Sequence, residues 1–148
     1  MSVDNSPYDA TNFIVAIDGV PASSFSDCIL PTVLFDALEY REGFDLSDNV
    51  HKLPGLVRYG HLILKRGLSI SPDSTAIWDW LNSFVQGKGN AKNITVTMLD
   101  GKKLPIFTWT FTNAWPIRYE APPLSGRTSA LAIETLEIVV DSMVFAKA

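Results

Sequence analysis

Cysteine is nearly absent: Cys28 stands alone, so no disulfide closes within the chain, and it reads as a small buried hydrophobe folded under reducing conditions. Charge is sparse. Asp, Glu, Lys and Arg make up 19% of 148 residues, against about 25% in ordinary soluble domains. The balance is −4, which disfavours nucleic-acid binding as a main role. No apolar run approaches the ~20 residues that span a bilayer. The opening MSVDNSPYDA lacks the basic and apolar stretches of a signal peptide, and residues 1–11 read as a flexible polar arm. Internal repeats, low-complexity tracts and linkers are missing too, and the length suits one domain, 1–148, with a core of its own.

Catalytic and ligand constellations are equally thin. His51 and His61 have no Cys or carboxylates around them at metal-ligand spacing. Gly87-Lys88-Gly89-Asn90 lacks the phosphate-loop pattern and follows a helical segment instead of preceding one. No serine sits in a G-x-S-x-G elbow. Asn93-Ile94-Thr95 matches a glycosylation sequon that no secretion signal supports. Glu134 and Glu137 fall on opposite faces of a strand and form no acid–base pair along it. The expectation is a protein with no catalytic, cofactor-binding or metal-binding residues.

Apolar residues, by contrast, are plentiful at 47%. Either a well-filled core or a surface covered in an oligomer accounts for them. Phe13–Ile17 alternates with period two and ends at Asp18-Gly19, a strand and turn. Thr32–Tyr40 carries a second strand with Val33, Phe35 and Ala37 on one face. Phe44–Pro54 reads as a long loop whose spaced Phe44, Leu46, Val50 and Leu53 dock on something. Leu56–Lys65 reads as one strand, with Gly60 marking a bulge or a close backbone approach.

A single helix follows, capped by Ser71 with Pro72 at its first position, or by Ser74 slightly later. Its apolar stripe is Ile77, Trp78, Leu81, Phe84 and Val85, with Trp80 off-centre and Gly87 as its stop. Ile94–Met98 and Leu104–Phe111 form a hairpin about Asp100-Gly101, and the return strand stays extended to Tyr119. Leu131–Val144 is a last long strand, bent or bulged midway. Strands with one helix and no βαβ alternation give a mainly β, single-domain sandwich or barrel with one flanking helix.

One cluster invites a surface reading. Arg58, Lys65 and Arg66 accompany one strand, with Glu39, Arg41, Glu42, Asp45 and Asp48 before it. They are either a solvated face or complementary charge between neighbouring copies, which fixes register more than it adds affinity.

Several blocks in order resemble the tail tube proteins of contractile-tail phages and of phage-tail-like bacterial injection particles. They are Phe13–Gly19, Tyr40-Arg41-Glu42-Gly43, Lys52–Leu56, Leu62–Gly67, Trp78 and Trp80, Asn113-Ala114-Trp115-Pro116, and Ala132–Glu137. The set covers nearly the whole chain. Where family members often carry a Ser-Gly-Leu turn, this chain has Asp27-Cys28-Ile29-Leu30-Pro31.

The resemblance implies a structural inner tube protein. Six copies would form a ring, their strands joining in a continuous inner barrel, and rings would stack into a hollow conduit. Contraction of a surrounding sheath would drive the conduit through a target envelope. Partners would be the chain itself, a sheath protein, and baseplate and tail-terminator proteins. Cargo or DNA would pass without sequence-specific binding. The protein would assemble in the bacterial cytoplasm and end in a phage tail or a released extracellular particle. The 44–54 segment would be an extended inter-subunit loop. Expected inter-subunit contacts are Arg41, Glu42, Phe44, Leu46, Asp48, Lys52, Leu53, Arg58, Lys65, Arg66 and Glu134. Three alternatives stay open: a type VI secretion-like tube protein, a monomeric β-barrel holding a small ligand between Trp78, Trp109 and Trp115, and a hydrolase with an unrecognised site.

Overall fold

The computed structural model describes residues 12–21, 25–40, 43, 50–127 and 131–148. Among them, nine strands and one helix follow in order. They are β1 (Phe13–Ile17), β2 (Asp27–Ile29), β3 (Val33–Tyr40), β4 (His51–Tyr59), β5 (Leu62–Gly67), α1 (Ala76–Val85), β6 (Lys92–Leu99), β7 (Pro105–Glu120), β8 (Ile133–Val139) and β9 (Ser142–Lys147).

The sixteen-residue β7 organises the body. Its first half pairs with β6 on one side and β9 on the other, and its second half pairs with β8. β1 extends β6, while β5 and then β2 extend β8. All of these pairings are antiparallel. The two halves of β7 thus belong to the two layers of a sandwich. Its alternation changes parity between them: Phe111 is buried, and so are Ala114 and Pro116. Asn113 makes the switch at φ 49°, a left-handed conformation that asparagine tolerates better than most residues. Its amide Nδ2 donates to Asp141 Oδ2 at 3.0 Å. Asp141 itself lies in the break between β8 and β9, so the last long strand is bent where its partner is.

The core is one cluster from both layers. Leu62, Leu64, Ile77, Ile94, Phe111, Leu136 and Ile138 are its largest fully buried side chains, each worth about 1.5–3 kcal/mol of transfer energy. The sheets do not close into a barrel within the protomer. β1, β2 and β9 each have a partner on one side only, among the described residues.

Four sequence expectations change. The helix starts at Ala76, after Thr75, with no side-chain cap; the carbonyls of Asp73 and Ser74 in the preceding turn instead accept from Arg66 at 3.3 and 2.9 Å. The helix is also rotated. Trp80, not Trp78, is buried with Ile77, and the Trp80 indole N–H donates to the Asn90 carbonyl at 3.3 Å. Trp78 lies half exposed, its ring edge-on to Tyr119 at 5.5 Å. Gly87 does stop the helix, its N–H donating to Phe84 O at φ 74°.

The third change concerns Leu56–Lys65, which divides into β4 and β5 at Gly60 and His61. The close approach expected at Gly60 is real: its N–H donates to Thr32 O at 2.8 Å, and an added Cβ would lie 3.1 Å from Thr32 Oγ1. In addition, His51–Pro54 belong to β4 and not to a loop. The rest of that expected loop, residues 44–49, lies outside the described residues, as does the 1–11 arm.

Candidate self-assembly surface

The β2–β5 and β3–β4 pairs are one ribbon. Asp27 faces Lys65 and Ile29 faces Ile63; past the gap, Val33 faces Tyr59 and Phe35 faces Val57, in the same register. The Gly60–Thr32 hydrogen bond carries the ladder across the gap. The inner part of the ribbon lies in the body. The outer part, β3 with β4, pairs with no other strand among the described residues. Eight residues at about 3.3 Å each make an arm about 26 Å long.

Both faces of the arm are apolar. In the body the ribbon turns Leu62, Leu64 and Arg66 to the core. The same parity on the arm presents Leu34, Asp36, Leu38, Tyr40, Arg58 and Leu56, with Leu53 opposite Leu38. Leu34 is 61%, Leu38 55%, Leu53 48% and Leu56 73% exposed. The other face carries Val33, Phe35 and Val57, also exposed. Two-stranded hairpins are marginally stable alone, and an apolar strand with open edges is an invitation to pair. The charged groups of the arm are arranged locally. Arg58 contacts Asp36 at 3.2 Å on the surface, a pair worth at most about 1 kcal/mol. Lys52 faces Glu39 in register, and the Tyr40 and His51 rings lie 5.4 Å apart.

The expected contact residues therefore divide. Lys52, Leu53 and Arg58 share the arm. Lys65 is half buried on the outer side of β5, opposite Asp27 and Thr135. Arg41, Glu42, Phe44, Leu46 and Asp48 lie outside the described residues.

Arg66 and Glu134 need correcting: they are 2% and 3% exposed and have no surface to offer a neighbour. Arg66 Nε donates to Glu134 Oε1 at 2.7 Å, and Tyr119 Oη donates to Glu134 Oε2 at 2.6 Å. With the two helix-turn carbonyls, this network locks α1 to the β5–β8 pair. Desolvation first, then the hydrogen bond and negative charge of Glu134, push Tyr119 up to about 12, with Arg66 opposing.

Sequence reasoning missed Leu34, Asp36, Leu38 and Leu56. The signal was the consecutive Val33-Leu34-Phe35, a strand apolar on both faces, which an isolated two-stranded sheet leaves exposed.

The three tryptophans of the ligand-binding alternative are not gathered. Trp109 stacks on Phe145 at 4.9 Å, and Trp115 lies 6.3 Å from Phe84. The cavity lined by Trp109 is lined by neither Trp78 nor Trp115. Among the described residues no three His, Cys, Asp or Glu side chains group as metal ligands would, and no helix is long and apolar enough to cross a membrane.

Residues 9–144 match the family model described as T4-like virus tail tube protein gp19. No curated protein matches the chain. Among solved structures, a chain of the extended sheath-tube complex of an extracellular contractile injection system, PVC, superposes with a TM-score of 0.83 at 23% identity, covering 97% of this chain and 94% of that one. A chain of the anti-feeding prophage baseplate gives 0.80 at 22% identity, covering 97% of each. Hcp1 from Flavobacterium johnsoniae gives 0.54 at 14% identity, covering 92% and 95%. These likenesses show a shared fold.

Proposed function

The chain belongs to the T4-like virus tail tube protein family, and on that premise we propose that it is the inner tube subunit of a contractile injection system or phage-like tail. Six copies form a ring, and rings stack head to tail into a conduit. The observation that carries the reading is the arm, whose core-side leucines run on past the protomer's own core. Open edges on β1, β2 and β9 supply further unpaired backbone for neighbours. Each main-chain bond adds only about 1 kcal/mol net, but a row of them around a ring is stiff under axial load.

The similar structures support the partners: a sheath accompanies the tube in the PVC assembly, and a baseplate is the setting in the anti-feeding prophage. The sheath surrounds and drives the tube, a baseplate and a terminator close its ends, and cargo or DNA passes through the lumen without sequence-specific contacts. Assembly takes place in the bacterial cytoplasm, before incorporation into a tail or a released particle. The segment 44–54, including the start of β4, touches adjacent subunits and rings; removing part of 44–49 should shorten tubes without unfolding the subunit. The chemistry required is none, since the tube makes and breaks no bond.

Electron microscopy of the purified protein tests the assembly. Annular particles with six-fold averages, or tubes, are expected. A monodisperse single-chain species over a wide concentration range overturns the reading.

A further inference from the structure

The body has an unfinished place of its own. Between β2 in one layer and β1, β6 and β7 in the other lies a cavity of about 350 Å³, lined mainly by apolar side chains including Phe13, Cys28, Val96, Met98 and Trp109. Val96 belongs to the buried core, and Phe13, Cys28 and Trp109 pack against it from the margin. Beside it, Phe145 stacks on Trp109 and lies tilted against Phe107 at 5.3 Å while remaining 56% exposed. This is a core mouth without a lid.

The protomer's own arm does not supply one. The mouth is lined by Ile29 and Leu30, and the ribbon leaves for the arm at Val33. Folding the arm back over the mouth would break the Gly60–Thr32 bond and the continuous register. The arm, meanwhile, has apolar surface in excess. Its four core-side leucines leave on the order of 400 Å² uncovered, at the limit that monomers ordinarily tolerate. Its strands of eight and nine residues approach the roughly 20–30 residues a side of a standard interface.

We propose that a second copy closes the mouth: the core-side leucines of its arm, Leu34, Leu38 and Leu53, seat over Cys28, Met98 and Trp109. This rests on the ring assembly above and adds to it the receiving surface. Arm and mouth are different surfaces, so the contact is head-to-tail, and such a contact closes into a ring when its rotation divides the full turn. Each core is then completed by the next subunit.

The single native cysteine makes the test direct. Leu34→Cys, Leu38→Cys and Leu53→Cys are made separately in the full chain, assembled and treated with copper-phenanthroline. The oxidant takes up the two electrons and two protons released when two thiols join, and it is supplied in excess because burial pushes the Cys28 thiol up to about 11 and keeps it mostly protonated. At least one variant should give a covalent ladder beyond the dimer, lost when Cys28→Ser is added. Phe35→Cys, on the opposite face, should give none through Cys28. In the wild type, maleimide should label Cys28 about tenfold more slowly in assembled particles than in dilute protomer. Rings with no Cys28-dependent ladder at any position and unchanged labelling overturn the mouth while leaving the tube reading intact. Absence of rings in the wild type sinks the tube reading itself.

Discussion

Leu64 and Leu38 sit on one ribbon, with the same parity and the same side chain. Leu64 is 1% exposed and Leu38 55%. Leu64 lies beside Leu136 of its own sheet and in one core cluster with Ile94 and Phe111 of the other layer; Leu38 belongs to no such cluster among the described residues. Burial here is decided by what the chain provides underneath, not by the strand's own sequence. The body supplies its own cover, whereas the leucines of the arm stay exposed among the described residues. Substitutions in the two regions should therefore have opposite consequences.

The largest effect is expected on the arm. Leu38→Asp with Leu53→Asp should abolish rings and tubes in electron micrographs, because two desolvated carboxylates would enter the contact. Protomer stability in urea should stay within about 0.5 kcal/mol. If rings survive, or if the protomer unfolds, the division between arm and body fails.

Next comes the buried network. Arg66 and Glu134 contact at 2.6 Å inside the body, and breaking such a pair costs about 3–5 kcal/mol. Arg66→Met should lower the urea midpoint accordingly. Arg66→Glu should do worse, placing two carboxylates together, and any loss of assembly would follow from unfolding. A folded Arg66→Glu protomer that merely fails to assemble would return Arg66 to the interface.

Tyr119→Phe removes one charge-assisted hydrogen bond, about 1.5–3 kcal/mol. It also has a pH signature. In the unfolded chain tyrosine ionises near 10, and in the fold Tyr119 is raised to about 12. The neutral form is the one the fold favours, so this contribution is complete below pH 10 and is lost as pH rises toward 12. Cys28, raised from 9.0 to about 11 by burial, adds a similar fall between those values. Urea midpoints from pH 8 to 12 should decline less steeply in Tyr119→Phe; an unchanged slope contradicts the assignment.

The smallest effect is expected at the bend. Asn113→Ala puts a Cβ-bearing residue without a local hydrogen-bonding side chain at φ 49° and removes the bond to Asp141, a loss of about 1–2 kcal/mol. Thermal melting checks it, with assembly retained.

Much of this was legible in the sequence. Period-two alternation gave β1, β6 and the first half of β7, and helical spacing with Gly87 gave α1. Ordered motifs pointed to the tail tube family. Other features depended on tertiary context. The Trp78–Trp80 exchange turned on which rotation of α1 let the indole N–H reach Asn90. Arg66 read as a surface cation because its partners Glu134 and Tyr119 are distant in sequence. The arm was half visible: β3 could be seen, but Lys52 and Leu53 read as part of a loop and Arg58 as part of one strand Leu56–Lys65. Its separation from the body was not visible, because Leu56–Lys65 alternates without a break across Gly60.

Amide hydrogen exchange, compared between dilute protomer and assembled particles, tests the central claim most directly. The account predicts that residues 33–40 and 51–59 exchange readily in the protomer and slow by about 100-fold or more in the assembly, while β5 and β8 are protected alike in both. Arm amides already protected in the lone protomer, or still unprotected in well-formed rings, would contradict it.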